Sequence, residues 1–148
     1  MLWSHLLILP DVNVLAYAHR HDSTRHSDYQ NWLERLLDSD TAFGVCDLVL
    51  SGFLRVVTHP RVFGDPTPLP LAMQFVSSLR NHPNAVTRAP GERHWDIFQR
   101  LCQEVNAKGN LVPDAYLAAF AIEVGAEWIT TDRDYARFKS LHWKHPLS

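Results

Sequence analysis

Cysteine is scarce in this chain. Two thiols, Cys46 and Cys102, in 148 residues make no disulfide framework, so nothing ties the protein to an oxidising compartment and a cytoplasmic location is expected. Long apolar runs are also missing: none approaches the roughly 20 residues of a membrane span. The apolar start from Leu6 to Leu9 is ended by Asp11 and follows no basic segment, which is not the form of a secretory leader. Excess positive charge is absent, since 14 Lys and Arg face 16 Asp and Glu for a net −2. Any nucleic-acid binding must therefore come from a local patch and not from the whole-molecule field. Lysine is rare, at 3 of the 14 cations, and the arginine bias suits bidentate phosphate contacts. No glycine-rich loop follows the first apolar segment, which argues against a dinucleotide-binding domain. The nine histidines are scattered without a paired spacing such as H-x-x-x-H, so most read as surface residues.

What remains has the composition of a soluble globular chain, 46% hydrophobic and 20% charged. Its length suits one domain, residues 1–148, with a sizeable core. Short apolar runs predict strands at Leu6–Pro10, Ala42–Val45, Ala85–Arg88 and Glu127–Thr130, with an edge strand at Leu141–Trp143. Helical spacing is read at Asn13–Arg20, His26–Leu37, Leu48–Thr58, Leu71–Arg80, Glu92–Ala107 and Asp114–Val124, and a short helix at Tyr135–Phe138. Pro60 ends the third helix, and His59–Pro70 reads as a loop. Strands alternating with helices argue for an α/β domain with a mostly parallel sheet, whose ligands sit at the carboxyl ends of the strands.

Four carboxylates stand where a strand should end or a helix begin. Asp11 follows Leu6-Leu7-Ile8-Leu9-Pro10, Asp114 follows Leu111-Val112-Pro113, and Asp132 and Asp134 follow Trp128-Ile129-Thr130-Thr131. An acid directly after a buried apolar run is costly unless it is paired, hydrogen-bonded or metal-bound. Singly, each reads more simply as a helix cap or a turn acid. Together they would make an oxygen-rich pocket suited to Mg²⁺ or Mn²⁺. Asn13 lies two residues after Asp11, where its amide can orient the acid or hold a metal-bound water. Thr131 is given the same supporting role. Thr130 is read as a residue favoured at strand ends.

The segments Asp11-Val-Asn13-Val-Leu15, Asp114-Ala-Tyr-Leu-Ala-Ala and Thr130-Thr-Asp132-Arg-Asp134-Tyr-Ala-Arg-Phe resemble the three motif blocks of PIN-domain ribonucleases. The resemblance is to the VapC-type toxins of toxin–antitoxin pairs and runs from Leu6 to Trp143. Phe53-Leu-Arg-Val-Val-Thr-His-Pro-Arg-Val-Phe63 is similar to a subgroup of them. It implies a three-layer α/β/α sandwich with a mostly parallel central sheet. It also implies Mg²⁺- or Mn²⁺-dependent cleavage of RNA and a cognate antitoxin partner. By position, Asp11, Asp114 and Asp132 match the family's catalytic and metal-binding acids, and Asp134 matches a more variable one. The chain departs at one place. A glutamate is usual early in the helix after the second strand, and here Gly52 replaces it within Leu50-Ser51-Gly52-Phe53-Leu54. Either the remaining acids suffice, or metal affinity is weakened, or the domain binds without cutting.

A carboxylate-held metal can stabilise charge on phosphoryl oxygens and lower the pKa of an attacking water. Because the ligands must be deprotonated, activity should fall at low pH. Phosphate contacts are assigned to Arg55, one turn beyond Gly52, and to His59 and Arg61. The alternative for Arg55 is an ion pair with Asp11 or Asp114. Trp32, Trp95 and Trp128 fall on apolar faces and read as core, while Trp3 and Trp143 are open to either reading. Apolar stripes on the early helices could serve a homodimer, an antitoxin groove or the core itself. A phosphatase of the haloacid dehalogenase type is the remaining rival; it needs an acid where Asn13 stands.

Overall fold

In the computed structural model, residues 6–148 are described; Trp3 lies outside them. The strands are β1 (Leu7–Pro10), β2 (Phe43–Val45), β3 (Ala85–Thr87), β4 (Ala126–Ile129) and β5 (Trp143–Lys144). All pair in parallel, in the order β3-β2-β1-β4-β5. The helices are α1 (Val12–His19), α2 (His26–Asp38), α3 (Asp47–Val57), α4 (Leu69–Arg80), α5 (His94–Val105) and α6 (Leu111–Glu123). A 3-10 turn, Arg133–Arg137, joins β4 to β5.

The chain steps outward from β1 through β2 to β3, then crosses back to lay β4 on the other side of β1. Right-handed crossovers place the helices made before and after that reversal on opposite faces of the sheet. Accordingly α1 packs on α2 and α3, and α5 packs on α6. This is an α/β/α sandwich. Leu9 is in register with Trp128 at its centre, and both are fully buried. Gly44 lets β1 lie close to β2, since a Cβ there would stand 3.0 Å from Leu7 Cδ2 and 3.1 Å from Leu9 Cδ1. The reversal sits between β1 and β4, which makes their carboxyl ends the switch point where such sheets bind ligands.

Several expected boundaries move. Helix α6 begins at Leu111, not Asp114, and α4 begins at Leu69, not Leu71. Pro113 and Pro70 lie inside the first helical turns, where a missing N–H leaves no intrahelical bond unmade. The edge strand lies one to two residues later than expected. Trp95 was expected in the core and is 63% exposed. The inward stripe of α5 runs through His94, Ile97 and Leu101, and Trp95 falls beside it. The histidines are less superficial than expected. His94 is buried and stacks on Phe98 and against Tyr116, and His19 packs on Phe53 and Phe75. No described helix is long and apolar enough to cross a membrane.

Candidate active site

Asp11 leaves the carboxyl end of β1 and caps α1. Its backbone N–H still donates to Ile129 O at 2.8 Å, so the β1–β4 ladder continues up to the acid. The carboxylate is buried and accepts three hydrogen bonds. Val12 N donates to Oδ1 at 2.6 Å, Thr130 Oγ1 to Oδ2 at 2.8 Å and Asn13 Nδ2 to Oδ2 at 3.2 Å. Burial pushes its pKa up to about 6; the bonds from Thr130 and Val12 oppose that, and the charges of Asp114 and Asp132 add to it.

Thr130 was dismissed from sequence as a strand-end residue, and that reading is overturned. It is fully buried at the end of β4. Its hydroxyl donates to Asp11 and accepts from Asn13 Nδ2 at 3.2 Å and from Asp132 N at 3.1 Å. One hydroxyl thereby uses its donor and both acceptors and links the first acidic segment to the third. Asn13 closes the loop: its Oδ1 accepts from Thr131 N at 3.1 Å. Thr131 thus joins through its backbone, not through the hydroxyl that the sequence reading assigned to it.

Asp132 caps the 3-10 turn and accepts from Asp134 N at 2.9 Å. Asp114 sits half-buried on the first turn of α6, where Tyr135 OH donates to its Oδ1 at 3.3 Å. Burial raises the Asp114 pKa, as do the charges of Asp132 and Asp134, against the Tyr135 bond. Tyr135 is buried, and its own pKa is raised by burial and by the surrounding acids, so it stays a neutral donor. In the sequence it stood only as the start of a short helix and as part of the third resemblance block. Asp134 is exposed on the rim.

Asp11, Asp114 and Asp132 therefore share one field of negative charge. Among the described residues no Arg, Lys or His pairs with any of them; the ion pairs are Arg20–Asp22, Arg25–Asp28 and Arg80–Asp47. A buried carboxylate beside two half-buried ones, none paired with a described cation, suits a hard divalent ion. The described side chains hold no group of three acids, histidines or cysteines close enough to clasp an ion by themselves. Water or substrate oxygens would have to complete a coordination shell, as is usual for Mg²⁺.

The proposed phosphate contacts are not drawn into this network. Arg55 is exposed on α3 and pairs with no described acid, which removes the alternative of an ion pair to Asp11 or Asp114. Arg61 is exposed and its N–H donates to His59 Nδ1 at 3.0 Å. Gly52 faces the start of α1: a Cβ there would stand 3.0 Å from Val12 Cγ2, one residue from Asp11.

Comparison with known proteins agrees with this geometry. Residues 8–141 match the PIN domain family. Ribonuclease VapC43 of Mycobacterium tuberculosis is 50% identical over 141 residues, spanning 95% of this chain and 96% of the relative. Ribonuclease VapC25 of the same species is 41% identical, over 95% and 100%. Among solved structures, VapBC2 from Rickettsia felis bound to a promoter DNA fragment superposes with a TM-score of 0.70 at 16% identity, over 95% of this chain and 98% of that one. VapBC-1 from nontypeable Haemophilus influenzae gives 0.69 at 15%, over 97% and 100%.

Proposed function

Because the chain belongs to the VapC ribonucleases of the PIN-domain family, we propose that Asp11, Asp114 and Asp132 form the catalytic centre of an endoribonuclease, the toxin of a toxin–antitoxin pair. The observation that carries the reading is the buried Asp11 carboxylate, held by three hydrogen bonds beside two further acids, with no cation among the described residues to neutralise them.

Asp11, Asp114 and Asp132 would hold Mg²⁺, with Mn²⁺ as a substitute, and Asp134 would lend charge from the rim. Bound there, the metal supplies a Lewis acid for the phosphoryl oxygens and a water of lowered pKa. The chain's own residues set the stage. Thr130 and Asn13 fix the Asp11 carboxylate in one orientation. Tyr135 holds Asp114 by a neutral donor. The backbone N–H of Asp134 holds Asp132. Rigid placement of charged groups before substrate arrives lowers the barrier without reorganisation during the step. Arg55, His59 and Arg61 would bind RNA phosphate on the α3 side. The cognate antitoxin is the expected protein partner, as in the VapBC complexes that share the fold, and the protein would act on RNA in the cytoplasm.

Cleavage of a tRNA-containing RNA pool tests the reading. Cuts that need Mg²⁺ or Mn²⁺ and vanish in EDTA or in Asp11→Asn support it. A folded, partner-free protein that binds RNA without cutting under either metal would favour the non-enzymatic reading, for which Gly52 in place of an acid is the one specific observation.

A further inference from the structure

Beside Asp114 lies a polar cleft of about 250 Å³. Its walls are the turn from α5 to α6 and the 3-10 turn after β4. They present Asn106, Lys108, Asn110, Asp114, Asp134 and Arg137. We propose that this cleft is the subsite for the nucleotide next to the scissile bond, with Lys108 and Arg137 gripping its phosphate and Asn106 and Asn110 contacting its ribose or base. The inference rests on the ribonuclease reading and adds to it the residues that seat the substrate.

Lys108 and Arg137 stand on two separate elements, and both are exposed. Each lines the same cleft as two carboxylates, yet neither pairs with a described acid. Two free cations beside the acids are what a polyanion needs in order to approach a negatively charged centre. The turn is also shaped for the purpose. Asn106 has φ +50° and Gly109 has φ +55°, so left-handed backbone on both sides presents Lys108 at the tip. Asparagine tolerates that conformation at a helix end, and Asn106 uses it to close α5.

The helix terminus itself is not the anion site. Leu111 N already donates to Lys108 O and Val112 N to Gly109 O, both at 3.1 Å, and Pro113 has no N–H. Any phosphate here must therefore be held by side chains. Asn110 occupies the cap position of α6, but its side chain makes no cap hydrogen bond. Its amide is left to face the cleft, where an amide can meet a base edge or a 2′-hydroxyl.

The test measures labelled tRNA affinity in EDTA, on an Asp11→Asn background that does not cut, across a salt series. The variants are Lys108→Gln with Arg137→Gln, the charge-keeping Lys108→Arg with Arg137→Lys, and Lys139→Gln as a basic surface control. In the cutting background the same changes are read as KM and kcat in Mg²⁺. The neutral pair should weaken binding about tenfold and lower the salt slope by about 0.7, the value for one phosphate contact to a single strand. KM should rise while kcat stays within about threefold. The charge-keeping pair should restore the slope, and Lys139→Gln should change nothing. Unchanged affinity and slope in the neutral pair would overturn the subsite, as would a lost kcat with affinity intact. An unaltered protein that neither binds nor cuts tRNA would instead bring down the ribonuclease reading on which the subsite depends.

Discussion

At the scale of the residue, the decisive group is the Asp11 carboxyl. Its pKa rises from an ordinary 3.8 to about 6 because burial disfavours the charged form. Between those values the folded protein holds a proton that the unfolded chain has released, so this group makes stability fall as pH rises from about 4 to about 6. The full difference is about 3 kcal/mol. Denaturant unfolding of the wild type and Asp11→Asn at pH 4 and pH 7 should show the gap between them moving against the wild type by about that amount. A gap that does not depend on pH would contradict the burial argument. Activity should carry the opposite sign, because the ionised carboxylate is the form that would hold a metal. Cleavage at limiting Mg²⁺ should rise through pH 6.

Thr130→Val sharpens the point. It strips a bond that holds the Asp11 pKa down and leaves Asn13 Nδ2 and Asp132 N short of an acceptor. A loss of about 1 kcal/mol of stability is expected for part-buried donors that lose an acceptor, together with a pH–rate inflection above that of the wild type. Thr130→Ser should restore both. The acids were legible in the sequence because a carboxylate after an apolar run is conspicuous. Thr130 was not, because a threonine at a strand end satisfies β-propensity whether or not its hydroxyl has work to do.

At the scale of the element, α3 meets α1 at Gly52. A methyl group there would give about 1 kcal/mol of helix propensity but would stand 3.0 Å from Val12 Cγ2, and a valine in a helix has little freedom to turn away. The two effects should roughly cancel, so Gly52→Ala should move the melting temperature by no more than about 3 °C. A clear rise would show that the glycine is not needed for close approach. The helices themselves were readable, because a stripe repeating every three to four residues marks a buried face. Their starts were less so: Pro113 read as the entrance to a helix and Pro70 as the end of a loop, and both are in fact tolerated inside the first turn. Trp95 shows the limit of the stripe argument, since hydrophobicity put it on a face that geometry gives to His94 and Ile97.

At the scale of the whole molecule, the order β3-β2-β1-β4-β5 gathers the site. It sets the first and fourth strands side by side, so that Asp11 and Asp132, far apart in sequence, share Thr130. A parallel sheet was readable from the alternation of strands and helices, but the strand order was not, because pairing between distant segments leaves no local signature. The same reason hid the polar cleft. Lys108 and Arg137 belong to unrelated segments, and only the fold brings them together. The whole fold should also respond to metal. If Mg²⁺ binds the native site and not the unfolded chain, it should raise the melting temperature in proportion to the logarithm of its concentration above Kd. The effect should be large at pH 7.5 and weak at pH 4.5, where Asp11 is protonated.

The most direct measurement is cleavage of a mixed RNA pool by the purified protein, free of antitoxin, in Mg²⁺, in Mn²⁺ and in EDTA, beside Asp11→Asn. Discrete cuts that require both the metal and Asp11 are the predicted result. A folded protein that leaves RNA whole in either metal, or one that cuts equally well in EDTA, would contradict the assignment of this carboxylate cluster as a metal-dependent ribonuclease centre.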